Sequence, residues 1–206
     1  MLIENVVTAD YARDTRTLQV GDGVRQEELI EVALDARSEF DLNDDTKLAL
    51  GPGSKVTLDR FVYDPDTATG SIILNMAKGT MRWVTGVAKK PTYVIRTPNA
   101  SITVRGTIFD LFVTETNETW LLLHEGAVQV CNASGQCKVH TEPCKLTRVS
   151  EAGDVSGATS WSKVPGAKDN MFHRAFPFVV LPPEVAKGPT SSRDAVLNQP
   201  DANSVP

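Results

Sequence analysis

The apolar residues of this chain alternate with polar ones in short segments, rather than recurring at helical spacing. Between residues 26 and 150, runs rich in Val, Ile, Thr, Phe and Trp are each closed by Gly, Pro or Asn, as in SIILNMAKG, TMRWVTG, TYVIRT, ASITVRG, TIFDLFVTE, WLLLHEG and AVQVCN. Alternation of this kind is typical of strands, and turn residues at intervals of about ten favour an all-β domain. The sequence predicts an all-β fold of roughly twelve to fourteen short strands, either β-solenoid-like or a twisted β-sandwich.

Three segments carry more specific expectations. FDLNDDTKLAL (40–50) places an Asn-Asp-Asp turn between alternating residues and predicts a hairpin. QEELIEVAL (26–34) fits a short amphipathic helix or a strand, and both remain open. TPNASITVRGTIFDL (97–111) contains two strand patterns separated by Gly106. A glycine at such a point indicates a bulge or a corner where a side chain would not fit.

The strand pattern stops near Gly157, which divides the chain into a β domain (1–157) and an irregular, proline-rich extension (158–206). Because proline cannot donate to a ladder, we expect the extension to be extended or coiled. Within it, DNMFHRAF predicts a helical turn capped by Asp169, and FPFVVLPP predicts an apolar segment lying over the surface of the domain. The last twenty or so residues predict a disordered tail.

Composition and charge limit the classes of function. The chain is 41% hydrophobic and 23% charged, close to globular averages. Its net charge is -5 and it has no cluster of Lys and Arg, so we expect no nucleic-acid partner. No apolar run approaches the roughly 20 residues of a spanning helix, which predicts no membrane span. The N-terminus, MLIENVVTADYARD, lacks a basic segment followed by an apolar core and does not read as a signal peptide.

Three cysteines lie close together in CNASGQCKVHTEPC, at positions Cys131, Cys137 and Cys144. They could form one disulfide and leave one thiol, remain buried thiols, or bind a metal with His140 as a further ligand. Neither cysteine spacing is that of a CxxC pair, so we predict no metal site. Asn132 to Gly135 reads as a hairpin loop that would bring Cys131 opposite Cys137, which makes this pair the first choice for a disulfide.

Motifs that would carry catalysis or bind a metal are incomplete. His124 and Glu125 begin an HEG sequence, but no second histidine completes HExxH, and the segment reads as a strand that ends in a turn. No serine lies in a nucleophile-elbow pattern. Asp41, Asp44 and Asp45 form an acidic cluster that lacks the ligands of a calcium loop and predicts a solvated hairpin tip. We therefore predict no catalytic residue, no metal and no cofactor.

Other polar and aromatic residues fit simple structural roles. Asn99, Asn117 and Asn132 begin glycosylation-like patterns, which are short and common and carry little weight by themselves. Asp110 and Glu115 lie near aromatic residues, but the sequence does not show that they face one groove, as glycoside hydrolysis would require. Six aromatic residues could line a sugar platform, but alternation favours core packing: they are Trp83, Trp120, Trp161, Tyr63, Tyr93 and Phe109.

The order of the segments resembles the FecR domain family over about residues 20–150. The most specific part is TPNASITVRGTIFDL, supported by KGTMRWVTG before it and HEGAVQV after it. The family is found in periplasmic domains of iron-citrate sensing regulators and in stand-alone envelope proteins. The residues that carry the family signature are Thr97, Pro98, Ala100, Arg105, Gly106, Thr107, Phe109, Glu125 and Gly126.

The resemblance implies a non-enzymatic periplasmic or secreted module that binds another envelope protein or senses a ligand. Signal transduction is one setting that it implies for such a module. Family regulators add an anti-sigma helix bundle and a membrane span, which this sequence does not show, so no anti-sigma residue is carried over. A carbohydrate-binding or carbohydrate-active β-solenoid and a purely structural envelope domain are the alternatives. The sequence sets no oligomeric state. At the Arg-Gly-Thr corner, we expect Arg105 to brace the backbone through hydrogen bonds to carbonyls or a carboxylate, and contact with a ligand or partner is the alternative.

Overall fold

A computed structural model describes residues 2–64, 66–67, 69–87, 92–164 and 169–179. This part of the chain forms thirteen strands, a short 3-10 helix at Trp161–Lys163 and one α-helix, α1 (Asp169–Ala175). The strands are β1 (Leu2–Glu4), β2 (Val7–Tyr11), β3 (Asp14–Thr17), β4 (Leu29–Val32), β5 (Arg37–Asp41), β6 (Lys47–Leu50), β7 (Lys55–Asp64), β8 (Thr69–Val84), β9 (Thr92–Arg96), β10 (Ala100–Val113), β11 (Thr119–Asn132), β12 (Cys137–His140) and β13 (Lys145–Val149).

All thirteen strands belong to one sheet, which confirms the prediction of an all-β fold. The main path runs β12-β11-β10-β9-β8-β7-β4-β2-β3, and β6, β5, β1 and β13 join it from the side. Among the described strands, only β8 and β9 pair in parallel. A solenoid stacks its coils in parallel, so this antiparallel pairing fits the sandwich alternative. The predicted hairpin is present as β5–β6, with Phe40 opposite Leu48.

Long strands change partners halfway along their length. The first part of β8 pairs with β7 and β9, whereas residues 79–84 pair with β10, and the end of this stretch also pairs with β6. β10 and β11 divide in the same way, and a glycine with positive φ lies at each change: Gly79, Gly106 and Gly126. The sequence pattern predicted that strands end at these glycines, and this prediction is wrong. The strands continue through them, because glycine allows the backbone to bend without ending the strand pairing.

The main core lies between the two parts of the sheet. It contains residues from the first part, such as Ile72 and Ile102, and from the second part, such as Trp83 and Phe109, all at most 1% exposed. The alternation predicted for Ser101–Val104 is therefore confirmed. The ambiguous QEELIEVAL segment contains strand β4, whose Ile30 and Val32 also enter this core.

A second, smaller core covers the opposite face of β10, β11 and β13. Leu122 and Leu146 project from the sheet, and Trp161, Phe172 and Phe176 pack on them from the C-terminal side. The extension after residue 157 is therefore packed against the β domain as far as it is described. The apolar segment predicted over the surface does lie there through Val179. Its continuation to Pro183, the cap at Asp169 and the predicted tail lie outside the residues or side chains that the structure describes.

Candidate functional site

The Arg-Gly-Thr segment forms a bulge that is held by strand β8. Thr107 lies where the β10–β11 register shifts, as the sequence predicts for Gly106. Thr85, directly after β8, donates its backbone N–H to Thr107 O at 3.0 Å, and its Oγ1 accepts the Thr107 N–H at 3.0 Å. Trp83 Nε1 donates to the same hydroxyl at 3.1 Å. The two signature segments TMRWVTG and VRGT are thus bonded to each other.

The HEG segment closes this bulge from the other side. It lies inside β11 and does not end a strand, which corrects the predicted turn. A Cβ at Gly126 would lie 2.5 Å from Gly106 O and 2.7 Å from Thr107 Cγ2, and the φ of Gly126 is +85°. Only a residue without a side chain allows this approach. At Gly106 itself a Cβ would meet open space, so the expected steric reason for that glycine is wrong, and its φ of +58° is the remaining requirement.

Arg105 does not brace the bulge. Its side chain is exposed, and within the described part of the chain it makes no hydrogen bond or ion pair. The expectation that Arg105 holds the corner through carbonyls or a carboxylate is therefore wrong. Thr85 performs that role instead, because its hydroxyl and amide reach both polar groups of Thr107. Glu125 is also exposed, whereas Phe109 is 0% exposed in the main core.

The Thr-Pro-Asn segment makes a second internal junction. Thr97 Oγ1 lies 2.7 Å from Thr119 Oγ1, and Thr119 donates to Asn99 Oδ1 at 2.7 Å. The Asn99 amide donates to the carbonyls of Val149 and Ser150, so it ties β9–β10 to the end of β13. Ala100 is buried and Pro98 is exposed on the turn. Asn99, one of the glycosylation-like asparagines, is thus used within the fold.

The Asn-Asp-Asp turn is solvated in part: Asp41 and Asp45 are exposed, as the sequence predicts, whereas the same prediction is wrong for Asp44. Asp44 is 1% exposed and accepts the hydroxyl of Thr46 at 2.9 Å and that of Tyr93. Thr46 Oγ1 in turn accepts the Gly86 N–H at 3.1 Å. Burial and the hydrogen bond to Asp44 raise the pKa of the Tyr93 phenol. Tyr93 packs edge-on against Trp83, so this network adjoins the Thr85 junction.

A buried charged cluster lies on the opposite face of the sheet. Arg82 Nε donates to Asp110 Oδ1 at 2.6 Å and Arg82 Nη2 to Oδ2 at 2.8 Å, and both residues are at most 4% exposed. His124 Nε2 lies 3.1 Å from Asp110 Oδ2. Burial raises the pKa of Asp110, but the charges and hydrogen bonds of Arg82 and His124 outweigh it and lower the pKa to about 2.

Asp110 does not have the properties of a general acid. A carboxyl group with a pKa near 2 stays ionised at neutral pH and cannot donate a proton. No nucleophilic side chain is bonded to His124 among the described residues. Glu115, the carboxylate considered with Asp110, is 80% exposed and pairs with Lys78. The two carboxylates have separate partners and different surroundings, so they do not form the pair that glycoside hydrolysis needs.

The aromatic residues do not form an open platform. Trp83, Tyr93 and Phe109 are 0% exposed, and Trp161 is 7% exposed. The guanidinium of Arg148 lies over the Trp120 ring, with its Cζ 4.9 Å from the ring centroid. A cleft of about 370 Å³ adjoins this pair; it is lined by Trp120, Leu146, Arg148, Ser156, Gly157, Ala158, Thr159, Lys163 and Val164.

The cysteines lie at one edge of the sheet. Cys131 and Cys137 are opposite each other in the β11–β12 hairpin and are joined by a disulfide. Cys144 is an exposed free thiol. Both ring nitrogens of His140 are used, by Thr147 Oγ1 and by the carbonyl of Glu142. Within the described residues, no group of three His, Cys, Asp or Glu side chains is placed to hold a metal ion.

Sequence reasoning missed the charged cluster and the second core. Their signal lies in IFDLFV and WLLLH, where apolar residues occupy both faces of the strand. A strand of that composition is buried on both sides, so a second layer must cover it. A charged residue within such a strand, as Asp110 is, then requires a partner of opposite charge.

These junctions define the described chain as an all-β scaffold domain, in which Thr97, Thr107 and Gly126 make internal contacts whereas Arg105 and Glu125 are exposed. No described helix is both long and apolar enough to cross a membrane. The sequence profile of the family described as FecR protein matches residues 28–129. The chain thus belongs to the FecR family through this domain, and the resemblance drawn from the motifs is confirmed.

Two solved structures share the fold. Both are crystal structures of a candidate anti-sigma factor from Parabacteroides distasonis ATCC 8503, at 2.50 Å and 1.65 Å resolution. They match with TM-scores of 0.54 and 0.51, at 17% and 16% sequence identity, over 64% of this chain. The match spans 59% of the length of those chains, so it concerns the fold alone. No curated protein sequence matches the chain.

Proposed function

We propose that this protein is a non-enzymatic module of the bacterial envelope that takes part in signal transduction by binding another protein. The observation that supports it most is the use of the family signature. Thr107, Gly126 and Thr97 are committed to bonds or close contacts inside the fold. A residue that is buried in such a junction preserves the shape of the scaffold and does no chemistry on a substrate.

The family and the disulfide support the envelope location. FecR domains belong to a family of envelope regulators, and the related fold occurs in a candidate anti-sigma factor. The Cys131–Cys137 disulfide is stable in an oxidising compartment such as the periplasm and rare in the cytosol. Protein binding is favoured over ligand sensing because the cleft beside Trp120 is lined in part by a Trp120–Arg148 pair that is already stacked.

Affinity capture together with a deletion strain tests this proposal. The full chain, tagged at its N-terminus, would be expressed in its native host and cross-linked in intact cells. We expect one envelope protein to be captured reproducibly, and to capture this chain in the reverse experiment. We also expect deletion of the gene to change the transcription of a defined set of envelope genes. Absence of a reproducible partner, together with an unchanged transcript profile, would rule the proposal out.

A control separates specific capture from adhesion. Val139 is 66% exposed on the edge strand β12, so Val139→Asp reduces exposed apolar surface without touching the core. We expect this variant to capture the same partner as the wild type. Loss of capture in Val139→Asp would place the contact at the sheet edge instead.

A further inference from the structure

The C-terminal strap, residues 169–179, is held on the sheet by its side chains alone. Phe172 and Phe176 are both 0% exposed and pack on the smaller core. Their backbone hydrogen bonds are internal: Phe176 N–H donates to Phe172 O at 2.8 Å and Val179 N–H donates to Phe176 O at 3.1 Å. Among the described residues, the strap makes no hydrogen bond to the sheet. An apolar contact of this kind can open locally without unpairing a strand.

The aromatic side chains of the strap fit the face beneath it in an ordered way. Phe172 and Phe176 are four residues apart on one side of α1, and their ring centroids lie 5.1 Å and 6.4 Å from that of Trp161. Farther along, the Phe178 ring lies 5.6 Å from Arg82 Cζ. Apolar anchors spaced three or four residues apart are a common way for a short segment to fill a hydrophobic groove.

The strap leaves polar groups of this face without partners. Thr80 Oγ1 and Trp161 Nε1 are buried and make no hydrogen bond, although both residues are at most 7% exposed. A Cβ at Gly51 would lie 2.1 Å from Thr80 Oγ1 and 3.3 Å from Pro177 Cγ, so Gly51 packs against both Thr80 and the strap. A buried donor without an acceptor has lost its hydrogen bond to water and gained none in the protein, which destabilises the closed state. A segment that offered acceptors at these two points would bind the same face better than the strap does.

We infer that the strap is a displaceable occupant of a docking face, and that the partner in the proposed function binds there. The face consists of Thr80, Arg82, Leu122, Leu146 and Trp161. The partner segment is an amphipathic peptide with two aromatic side chains four residues apart and with carbonyl groups that accept from Trp161 and Thr80. This inference rests on the proposed function and names the surface through which it acts.

Hydrogen exchange on the intact wild-type protein tests whether the strap opens. The Phe176 amide reports on the strap, and the Leu122 amide reports on a strand that is paired on both sides. Local opening predicts that Phe176 exchanges at least about 100-fold faster than Leu122 and is insensitive to low urea concentrations. If both amides exchange at the same rate with the same urea dependence, the strap opens only when the protein unfolds, and the inference is wrong.

Binding of a labelled peptide with the sequence of residues 169–179 tests whether the face accepts a segment in trans. The full-length protein with Phe178→Ala has a weakened strap, because it lacks the ring over Arg82. We expect it to bind the peptide about tenfold more tightly than the wild type, since the open face is populated more often. The control peptide, with alanine at the positions of Phe172 and Phe176, should not bind.

The outcomes separate this inference from the proposed function. Equal peptide affinity of the wild type and the Phe178→Ala variant, with both proteins folded by circular dichroism, would overturn the inference. A captured partner that cross-links elsewhere would overturn it as well and leave the proposed function intact. Failure to capture any partner would instead remove the proposed function, whatever the strap does.

Discussion

The buried ion pair between Arg82 and Asp110 makes the sharpest prediction about stability. Replacing Asp110 with Asn preserves the shape of the side chain but leaves Arg82 as an uncompensated charge at 4% exposure. Breaking a buried pair from one side costs about 3–5 kcal/mol. The direction of the pKa shift agrees: a fall from 3.8 to about 2 corresponds to about 2 kcal/mol at neutral pH. We therefore expect Asp110→Asn to lose about 3 kcal/mol of unfolding free energy.

Equilibrium urea unfolding, followed by tryptophan fluorescence at pH 7, measures this loss. Glu115→Gln is the matched control, because Glu115 also pairs with a β8 cation, Lys78, but is 80% exposed. Exposed pairs contribute little, so the control should lose less than about 0.5 kcal/mol. A loss below about 1 kcal/mol in Asp110→Asn would refute the reasoning, since it would mean that water reaches Arg82 without rearrangement.

The pH dependence of the same variant has a fixed sign. The pKa of Asp110 is lowered in the folded protein, so its contribution to stability is present above about pH 4 and is lost as the pH falls toward about 2. The wild type should therefore lose stability more steeply than Asp110→Asn within this window. If the two proteins have parallel stability curves between pH 4 and 2, the lowered pKa is not the cause of the stabilisation.

Three further predictions concern the junctions and the hairpin. Gly126→Ala should lower the unfolding free energy in urea by about 2 kcal/mol or more, because its Cβ would lie 2.5 Å from a backbone oxygen. Gly106→Ala should lower it by about 1 kcal/mol, because the Cβ at that position meets open space. Equal losses in the two variants would contradict this. In an alkaline titration followed at 295 nm, one of the three tyrosines should ionise only as the protein unfolds, because the pKa of Tyr93 is raised in the folded protein. The contribution of Tyr93 to stability is then lost as the pH rises above about 10. Three tyrosines that titrate together would contradict this prediction. Replacing Cys131 and Cys137 together with serine should lower the unfolding free energy by about 2 kcal/mol in non-reducing buffer, while replacing the third cysteine leaves it unchanged; equal effects of the two changes would contradict the pairing.

The strand content could be predicted from the sequence because period-two alternation is a local property. The β5–β6 hairpin and the bulge in the Arg-Gly-Thr segment followed from residues that are adjacent in the chain. Glycine was misleading at Gly79, Gly106 and Gly126, since the residue that ends a strand also permits one to bend. The choice between these outcomes depends on the strands on either side, which local alternation does not encode.

Contacts between residues that are far apart in the chain could not be predicted from the sequence. Asp44 and Tyr93 are 49 residues apart, and Arg82 and His124 are 42 residues apart. Asp44 looked like part of a solvated turn because its neighbours are polar, but the Tyr93 hydroxyl and Thr46 remove it from water. Arg105 looked like a brace because it lies beside the bulge, whereas Thr85 holds the bulge from another strand. Adjacency in sequence was a poor guide to which side chain satisfies a polar group.

The location of the signature residues also bears on where the protein acts. Thr107, Gly126 and Thr85 hold the long strands together where those strands change partners. The scaffold therefore requires the geometry that these three residues provide. A contact with a partner must then use surface outside these three junction residues. The face beneath the C-terminal strap meets this condition, because it combines apolar side chains with a paired arginine and two donors that lack acceptors. Changes at the junction should therefore reduce stability first, whereas changes at the strap should alter binding in a protein that remains folded.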